Sequence, residues 1–508
     1  MGSPCRLAPA AWLLATFTVP CAAVTAQDLR IEHVAVVSSE RTRPLRDASV
    51  SIHDGRIAAI SHDRAAPRSR STLSDVQVLN GTGLYLTPGL IDSHVHLEAI
   101  PGMTSEQEKL HPDIARAAWE QIPRSYLYFG FTTLIDLIAT PDAVARWRNH
   151  DLLPDTYFCG GAALIDGYPM IYAPKPARYE AMPYMLVEPG AQSSLPAGVA
   201  AAEHTPDAVV ARMKADGAIC VKTFFERGFG AQRNLPVPRL ETIRALVRAA
   251  HAAGLPVLLH ASSVEAQTFG LDAGVDIIAH GLWNWNETPA TTELTAAVTA
   301  LLDRVVAAKV GWQPTIQVLF GERDLFSTSF LSDPMLARVL PASLIDWYRS
   351  KEGQWFRDTL ASQFANRATA DANALEAAVQ ADYAVGIGRV ERATGYLAKR
   401  RARLLFATDT PSGPIYANPP GLNAWLEMQR LVDAGVTPSQ IFQAATLANA
   451  RALHLDNDIG TVEVGKRANL LLLREDPTKT IQAYAQIAEV ILRGRAIDPG
   501  ELAADRAH

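Results

Sequence analysis

Short apolar runs alternate with amphipathic, helix-like stretches through the middle of the chain. This alternation is typical of parallel β/α units, in which each buried strand is followed by a helix that covers the sheet. Eight of the runs read as strands, and eight is the strand number of a (β/α)8 barrel. The predicted strands are Leu84–His96, Thr132–Leu137, Thr156–Leu164, Ala218–Phe224, Pro256–His260, Asp276–His280, Gly311–Ile316 and Leu404–Asp409.

Both ends of the chain have a different pattern, made of short β-like runs and tight turns. Asp54-Gly55 predicts a hairpin turn in the first part, and Gly460–Lys466 leads into a second group of β-like runs. We therefore predict an α/β protein with a TIM barrel over residues 84–458. Residues 27–83 and 459–498 are expected to form a small β-sandwich domain from both chain ends.

Two helix starts are marked by their sequence. Thr437-Pro438-Ser439-Gln440 combines an N-cap threonine, a proline in the first turn and a glutamine in the capping-box position. Thr205-Pro206 opens a second helix in the same way. We expect both threonine side chains to cap their helices.

Two stretches are longer than ordinary connections. Residues 166–203 follow the third predicted strand, and residues 319–403 follow the seventh and look mostly helical. In a barrel both insertions rise over the carboxyl ends of the strands, where barrel enzymes place their active sites. They are expected to form a partial lid or substrate wall. The longer one fits a dimerisation element equally well, which leaves a homo-oligomer open.

Composition narrows the class of partner. The 508 residues are 48% hydrophobic and 20% charged, which is ordinary for a globular protein, and the net charge is −6. No basic patch or run of lysine and arginine stands out. The chain is therefore expected to bind a small-molecule substrate and not nucleic acid.

The N-terminus has the pattern of an export signal. Arg6 precedes the apolar run Leu7–Val19, which is short for a membrane span, and Val24-Thr25-Ala26 offers a cleavage site before Gln27. A membrane anchor is the alternative. We expect residues 1–26 to be a signal peptide and the mature chain to be periplasmic or secreted, without membrane attachment.

Two of the four cysteines, Cys159 and Cys220, remain after signal removal. An oxidising compartment permits a disulfide between them. Because both lie in strand-like segments, two buried free thiols are the favoured expectation. No Cys-x-x-Cys motif occurs, which argues against a thiolate metal site.

The candidate chemistry lies at the strand ends. His94 and His96 close the first strand, and their i, i+2 spacing puts both imidazoles on one face, where they can share a divalent cation. A histidine or Asp409 alone has an ordinary role, such as a hydrogen-bonded core histidine or a helix N-cap, whereas Lys222 inside an apolar strand needs a partner or a function. A barrel brings six of them to one mouth, which favours a shared metal site. The six are His94, His96, Lys222, His260, His280 and Asp409.

These motifs resemble the amidohydrolase superfamily, in the branch near imidazolonepropionase-like and Xaa-Pro dipeptidase-like members. The resemblance rests on the first-strand segment Pro88–His96, the two-histidine region and the strand end Ala407-Thr408-Asp409, where alanine replaces the family's glycine. Asn449 lies in a matching helical segment, and Gly460–Leu472 matches the family's tail. The similarity runs from about residue 28 to residue 497, outside the two insertions.

The resemblance implies a role for each matching residue. His94, His96 and Asp409 would hold the more buried of two divalent metal ions, and His260 and His280 would hold the second, with zinc as the expected metal. Lys222 would carry a carbamate formed from CO2 and bridge both ions. A metal-bridging hydroxide would attack the substrate carbonyl, and Asp409 would act as the catalytic proton carrier.

Candidates for substrate contact are aromatic and polar residues near the same strand ends. Aromatic side chains suit an apolar substrate group, and an arginine suits a carboxylate. Ordinary packing is the alternative for each of them. The candidates are Tyr168, Phe225, Arg227, Trp283, Trp285 and Gln313.

The leading hypothesis is a metal-dependent hydrolase of amide C–N bonds in dipeptides, N-acyl amino acids or cyclic amides. An esterase or lactonase with the same metals is the first alternative, because the same nucleophile attacks either carbonyl. A deaminase is a further alternative. A non-catalytic binding protein is disfavoured, because it predicts the loss of ligand residues and all six are present.

Overall fold

The computed structural model describes residues 28–62, 76–148, 150–191, 195–229, 233–285, 291–364 and 371–506. The predicted signal peptide, residues 1–26, lies outside these ranges. The strands are β1 (Leu29–Val36), β2 (Leu45–His53), β3 (Arg56–His62), β4 (Gln77–Asn80), β5 (Tyr85–Pro88), β6 (Leu90–Val95), β7 (Phe131–Asp136), β8 (Asp155–Ala162), β9 (Cys220–Phe224), β10 (Val257–His260), β11 (Ile277–Ala279), β12 (Gly311–Gln313), β13 (Leu470–Leu473), β14 (Ile487–Leu492) and β15 (Arg495–Ile497).

The helices lie mostly between the strands of the middle region and after β12. They are α1 (Ser105–Leu110), α2 (Pro112–Tyr128), α3 (Pro141–Trp147), α4 (Arg178–Ala181), α5 (Pro206–Ala215), α6 (Leu240–Ala252), α7 (Val264–Ala273), α8 (Ala296–Ala308), α9 (Gln317–Asp324), α10 (Leu336–Val339), α11 (Ala342–Arg349), α12 (Trp355–Ala361), α13 (Ala372–Lys399), α14 (Leu422–Asp433), α15 (Pro438–Gln443), α16 (Asn449–Ala452) and α17 (Pro499–Leu502). None of the helices within the described ranges combines the length and the hydropathy needed to cross a membrane.

Seven strands, β6 to β12, form one parallel sheet in sequence order. The strands are short, and all except β8 are buried along their whole length, as expected where helices cover a parallel sheet. In α6, for example, Ile243, Leu246, Val247 and Ala250 are buried, and this spacing forms one apolar stripe along the helix. The result is a mixed α/β architecture with a parallel sheet that is consistent with a TIM-like barrel.

The predicted eighth strand, Leu404–Asp409, is not a regular strand. Its backbone nevertheless bonds to both edges of the sheet: the Leu405 N–H donates to Trp312 O (3.0 Å) and the Ser93 N–H donates to Phe406 O (3.2 Å). The Asp409 N–H also donates to His94 O over 2.7 Å. This segment therefore lies between β12 and β6, and isolated bridges replace a continuous ladder.

Strands from both parts of the chain form the second sheet, in the order β15-β14-β13-β5-β1-β2-β3, with β4 paired to β1. As predicted, strands from the N-terminal and C-terminal parts of the chain pair with each other. The hydrogen bonds define one eight-stranded sheet, whereas we predicted a two-sheet sandwich. Its core is a separate apolar cluster that includes Ile31, Val50 and Leu472.

The predicted first strand, Leu84–His96, divides at Gly89. Residues before this glycine belong to the terminal sheet as β5, and residues after it belong to the parallel sheet as β6. A side chain at this point has no room, because a Cβ on Gly89 would lie 2.1 Å from Thr132 Oγ1. The Gly89 N–H donates to Asn469 O over 2.8 Å and so links the two sheets.

Cys159 and Cys220 form a disulfide, so the expectation of two free thiols is wrong. The reason is the register of the sheet, in which the two cysteines are direct partners on β8 and β9 with Cα atoms 4.4 Å apart. Sequence alone gives the strands but not this register, because the residue at which two parallel strands align depends on the connecting helix.

Both predicted helix caps are confirmed. The Thr437 side chain accepts the Gln440 N–H, and the Gln440 side chain returns a bond to the cap residue, which completes a capping box. The Thr205 side chain accepts the Ala208 N–H at the start of α5. The insertion after β12 is largely helical, as expected, and its longest element is the 28-residue helix α13.

Candidate metal centre

The six predicted ligand residues lie at the carboxyl ends of the central strands. His94 is near the end of β6, His260 ends β10, and His280 directly follows β11. Lys222 lies within β9, and Asp409 lies on the segment that bridges the sheet edges. Parallel strands present these ends on one side of the sheet, so residues far apart in sequence become neighbours.

His94, His96 and Asp409 form the tightest group. His94 Nε2 and His96 Nε2 each lie 2.9 Å from Asp409 Oδ1. Among the described residues these three are the cluster with the spacing of a metal site, since their ligand atoms all lie within 4.8 Å of one another. Two imidazoles and a carboxylate are a donor set that suits divalent zinc.

His260 and His280 form a second group beside the first. Their ring centroids are 4.4 Å apart, and the His280 ring is 4.9 Å from that of His94. His280 Nδ1 lies 3.7 Å from Asp409 Oδ2 and 3.2 Å from Thr315 Oγ1. The two groups are therefore joined through Asp409 and His280.

Lys222 lies buried beside these rings, with 1% of its surface exposed. Within the described part of the chain its Nζ has no hydrogen-bond partner. Burial lowers the pKa of this amine to about 7, despite the opposing charge of Asp409. An unpartnered charge in the interior is unfavourable, so this lysine requires neutralisation or a chemical role.

The electrostatics of the ligands favour metal binding. Burial, followed by the charge of Lys222, lowers the pKa of His94 to about 3, and burial with the charge of His260 puts the pKa of His280 well below its ordinary value. Burial alone would raise the pKa of Asp409, but its histidine contacts outweigh that effect and lower it. Neutral imidazoles and an ionised carboxylate are the forms that bind a metal ion.

The backbone is strained at the same place. His280 has φ of 79°, Asp409 has φ of 57° and Thr315 has φ of 42°, all in the left-handed region. A non-glycine residue there costs of order 1–3 kcal/mol, and such residues cluster at functional sites. The surrounding fold therefore holds these three side chains in positions that a relaxed strand end would not give them.

Buried carboxylates support the ligands from behind. Asp92 Oδ1 accepts the N–H groups of His94 (3.2 Å) and Thr408 (3.1 Å), and Asp92 Oδ2 accepts the Thr408 hydroxyl over 2.6 Å. Asp136 accepts the Leu97 N–H over 2.7 Å and lies 3.9 Å from His96 Nδ1. These bonds fix the segments that carry three of the candidate ligands.

Aromatic side chains line the mouth of the centre. The Tyr168 ring lies 4.6 Å from that of His260 and 5.9 Å from that of Phe224. Trp283 lies 5.8 Å from His280. Of the predicted substrate residues, Tyr168 and Trp283 are thus beside the candidate ligands.

Three other predicted substrate residues make packing or hydrogen-bond contacts within the protein, and their role toward a substrate stays a prediction. Phe225 faces away from Lys222, because strand side chains alternate, and it packs on Phe269 with ring centroids 4.6 Å apart. Trp285 is 2% exposed and donates its indole N–H to Leu282 O over 2.9 Å. Gln313 is fully buried and donates to Ser93 Oγ over 2.8 Å.

Arg227 has a different environment from the one predicted. Its guanidinium is exposed and makes an ion pair with Glu265, with an Nη2–Oε1 distance of 2.7 Å. Binding a substrate carboxylate would require this pair to break. The structure therefore gives no support to a carboxylate-binding role for Arg227.

Two carboxylates near the centre were missed from sequence. Glu226 is 9% exposed and accepts the Ser262 hydroxyl over 2.8 Å, and its Oε2 lies 3.4 Å from His260 Nε2. Glu226 follows Lys222 by four residues, and residues at an even spacing share one face of an extended segment. The sequence therefore carried a signal that Glu226 lies on the Lys222 side.

Glu322 lies on α9 and accepts a hydrogen bond from the Tyr383 hydroxyl on α13 over 2.9 Å. Local sequence carries no signal for Glu322, since its position depends on how the insertion folds.

Comparison with known sequences identifies a family for this chain. The sequence profile described as Amidohydrolase family matches residues 85–280 and 372–497. A dihydroorotase from Solibacter usitatus (strain Ellin6076) is 24% identical over 238 residues, which span 47% of this chain and 43% of that protein. The chain therefore spans less than half of the length of this curated relative.

Solved structures with a similar fold cover nearly the whole chain. A Xaa-Pro dipeptidase with bound methionine has a TM-score of 0.60 and 18% identity, covering 93% of this chain and 100% of its own. Molinate hydrolase has a TM-score of 0.62 and 16% identity, covering 94% and 95%. A. niger ochratoxinase has a TM-score of 0.60 and 18% identity, covering 95% and 99%. These structures share the fold, and the profile match, which extends over more than half of the chain, shows that the chain belongs to the amidohydrolase family.

Proposed function

We propose that this chain is an exported, two-metal amidohydrolase that cleaves the C–N bond of small amides such as dipeptides, N-acyl amino acids or cyclic amides. The observation that carries the proposal is the gathering of four histidines and Asp409 around the buried, unpartnered amine of Lys222. The profile match supports the reaction class. Hydrolases among the structural neighbours support the fold on which the centre is built.

Two groups of residues suit two divalent ions, with zinc as the expected metal. His94, His96 and Asp409 would hold one ion, and His260 and His280 would hold the other. Bound ions would supply Lewis acidity for the substrate carbonyl and would lower the pKa of a water molecule. Burial lowers the pKa of His94, His260 and His280 and so favours the neutral form that this role requires. Burial acts in the same direction on His96, but its contacts with Asp409 outweigh it and raise that pKa.

Lys222 suits the bridging position once it carries a carbamate. A neutral amine at Nζ adds to CO2 and loses one proton, which leaves an anionic group with two oxygens in place of a cation. The pKa of about 7 favours this reaction, because a substantial part of the amine is uncharged near neutral pH. The carbamate would also remove the unfavourable buried charge.

Asp409 is the proton carrier in this proposal. Its carboxylate accepts the proton that the attacking water releases and delivers it to the leaving nitrogen as the C–N bond breaks. The lowered pKa of Asp409 leaves the carboxylate ready to accept. Asp409 Oδ1 is held by two histidines, so the side chain is fixed in place for the transfer.

Export is proposed from the N-terminal pattern, with residues 1–26 as a signal peptide and a periplasmic or secreted location. The disulfide between Cys159 and Cys220 supports this, because such bonds persist in oxidising compartments. The division into a terminal domain, residues 27–83 and 459–498, and a barrel domain, residues 84–458, is part of the same proposal.

Metal removal and return test the proposal. Purified protein should contain about two divalent ions per chain by mass spectrometry, lose amide hydrolysis with a chelator, and recover it with zinc or manganese. Lys222→Ala should lose metal and activity together, whereas Lys351→Ala, at an exposed lysine outside the centre, should keep both. Full activity in metal-free protein, or in Lys222→Ala, would contradict the proposal.

A matched benzamide and benzoate ester then separate the two hydrolase hypotheses. Hydrolysis of the amide supports the proposal. Metal-dependent hydrolysis confined to the ester would favour the esterase alternative instead.

A further inference from the structure

Large aromatic side chains remain in contact with solvent beside the candidate metal centre. Tyr172 is 64% exposed and Phe229 is 40% exposed. Their rings lie 6.0 Å and 5.6 Å from that of Tyr168, which in turn lies against His260. We call Tyr168, Tyr172 and Phe229 the aromatic rim. Exposed aromatic surface next to a catalytic centre points to an apolar or aromatic part of a ligand.

Glu322 contributes a carboxylate to this mouth from α9, in the insertion that follows β12. It accepts the Tyr383 hydroxyl at Oε2 over 2.9 Å, which joins α9 to α13. The Glu322 side chain is half-buried in the protein. Its burial raises the pKa of the carboxyl group to about 7. Gly386, one turn beyond Tyr383 on α13, lies against Trp283, because a Cβ on this glycine would be 3.8 Å from Trp283 Cβ. The Glu322–Tyr383 pair therefore lies on the side of the mouth that Trp283 lines. Burial, followed by the charges of Glu226 and Glu322, raises the pKa of Tyr172.

Glu322 has no cation beside it in the described part of the chain. Apart from burial, the groups that act on its carboxyl are Tyr383 and Asp409. The guanidinium of the adjacent Arg323 pairs with Asp324 instead, with an Nη2–Oδ1 distance of 2.7 Å. An enclosed carboxylate without a counter-ion is costly, and a cationic ligand would remove that cost.

We propose that this mouth selects substrates that carry a cationic group, such as a guanidinium or a protonated amine, on an aromatic or apolar body, and that Glu322 recognises the cation. The proposal rests on the hydrolase function proposed above and names its substrate class. The rim would hold the apolar body and also attract the cation through the faces of its rings. Glu322 would accept charge-assisted hydrogen bonds from the cationic group.

This assignment differs from the expectation from sequence, in which an arginine binds a substrate carboxylate. The charges acting on Tyr172 are both negative, so a free carboxylate on the substrate would be repelled at this side of the mouth. A purely structural role for Glu322, as a link between α9 and α13, predicts no charge preference at all.

Binding of two matched probes tests the recognition step without catalysis. Benzylguanidinium and benzylurea have the same shape, and only the first is charged. By calorimetry, the metal-loaded protein should bind benzylguanidinium about tenfold more tightly, equivalent to about 1.4 kcal/mol. Glu322→Gln keeps the acceptor for Tyr383 and should reduce the preference to about twofold or less, which corresponds to about 0.4 kcal/mol. Asp272→Asn changes an exposed carboxylate that pairs with Arg304 near the C-terminal end of α7, and it should retain the tenfold preference.

Hydrolysis of matched amides tests the same inference in turnover. The benzamide of 4-guanidinobutylamine should exceed the benzamide of 4-ureidobutylamine about tenfold in kcat/KM, and Glu322→Gln should remove this difference mainly through KM. Equal rates for both amides, or an unchanged ratio in Glu322→Gln, would overturn the inference while leaving the hydrolase function intact. Selective binding of benzylguanidinium by a protein that hydrolyses no amide would instead overturn the proposed function.

Discussion

The metal centre and its mouth are built in different ways. Residues of the centre sit on strand ends or on the segment that bonds to them, and they contact one another at 2.9 Å to 3.7 Å. Residues of the mouth sit on the connections after β8, β9, β11 and β12. The ring centroids of the rim are 5.6 Å and 6.0 Å apart, compared with 4.4 Å for His260 and His280 in the centre. In the proposed function, the sheet would therefore carry the chemistry and the insertions would select the substrate.

Breaking the centre should have the largest effect. Asp409→Asn removes the proton acceptor while it keeps the size of the side chain, and it weakens one metal position. We expect kcat to fall by about 10³-fold, within the range of general acid–base catalysis. Steady-state kinetics with a benzamide, together with metal content and circular dichroism, checks this result. A loss below about tenfold in fully folded protein would show that Asp409 is not the proton carrier.

Breaking the support behind the centre should have the next effect. Asp92→Ala leaves the Thr408 N–H and hydroxyl and the His94 N–H without their buried acceptor. We expect the free energy of unfolding in urea to fall by about 3 kcal/mol, because each buried unsatisfied group costs about 1–3 kcal/mol. Asp113→Ala is the control, since Asp113 makes only an exposed pair with Arg116 and should change stability by less than about 0.5 kcal/mol.

Changing the mouth should have the smallest effect and should spare the chemistry. Tyr168→Leu removes ring contacts with the rim and with His260. We expect KM for an aromatic amide to rise about fivefold, close to the ~1 kcal/mol of an aromatic contact, with kcat within about twofold. A large fall in kcat with unchanged KM would place Tyr168 in the centre and would remove the division between the two regions.

The same division explains what sequence could predict. Seven strands and the six candidate ligands were found because buried strands leave a clear apolar pattern, and polar residues at their ends stand out against it. Leu404–Asp409 was expected as a regular strand, but positive φ at Asp409 and contacts with two edges interrupt its ladder. The direct role of each ligand in metal binding stays a prediction.

Errors arose where side-chain direction or tertiary placement decides the answer. Phe225 was chosen as a lining residue, although alternation from Lys222 puts Phe224 on that face. Glu322 was not found, because its position is set by the packing of α9 against α13 and not by any local pattern. The disulfide required the register of β8 and β9, which no single strand contains.

That disulfide has a practical consequence for the lysine above it. Cys220 precedes Lys222 by two residues on β9, so their side chains lie on the same face of the strand. The disulfide between Cys159 and Cys220 therefore links β8 to β9 covalently on the face that carries Lys222. Protein produced in a reducing cytoplasm and protein produced in an oxidising compartment differ in a covalent bond directly under Lys222. The compartment of production is accordingly a variable in any measurement of metal or carbon dioxide uptake by this chain.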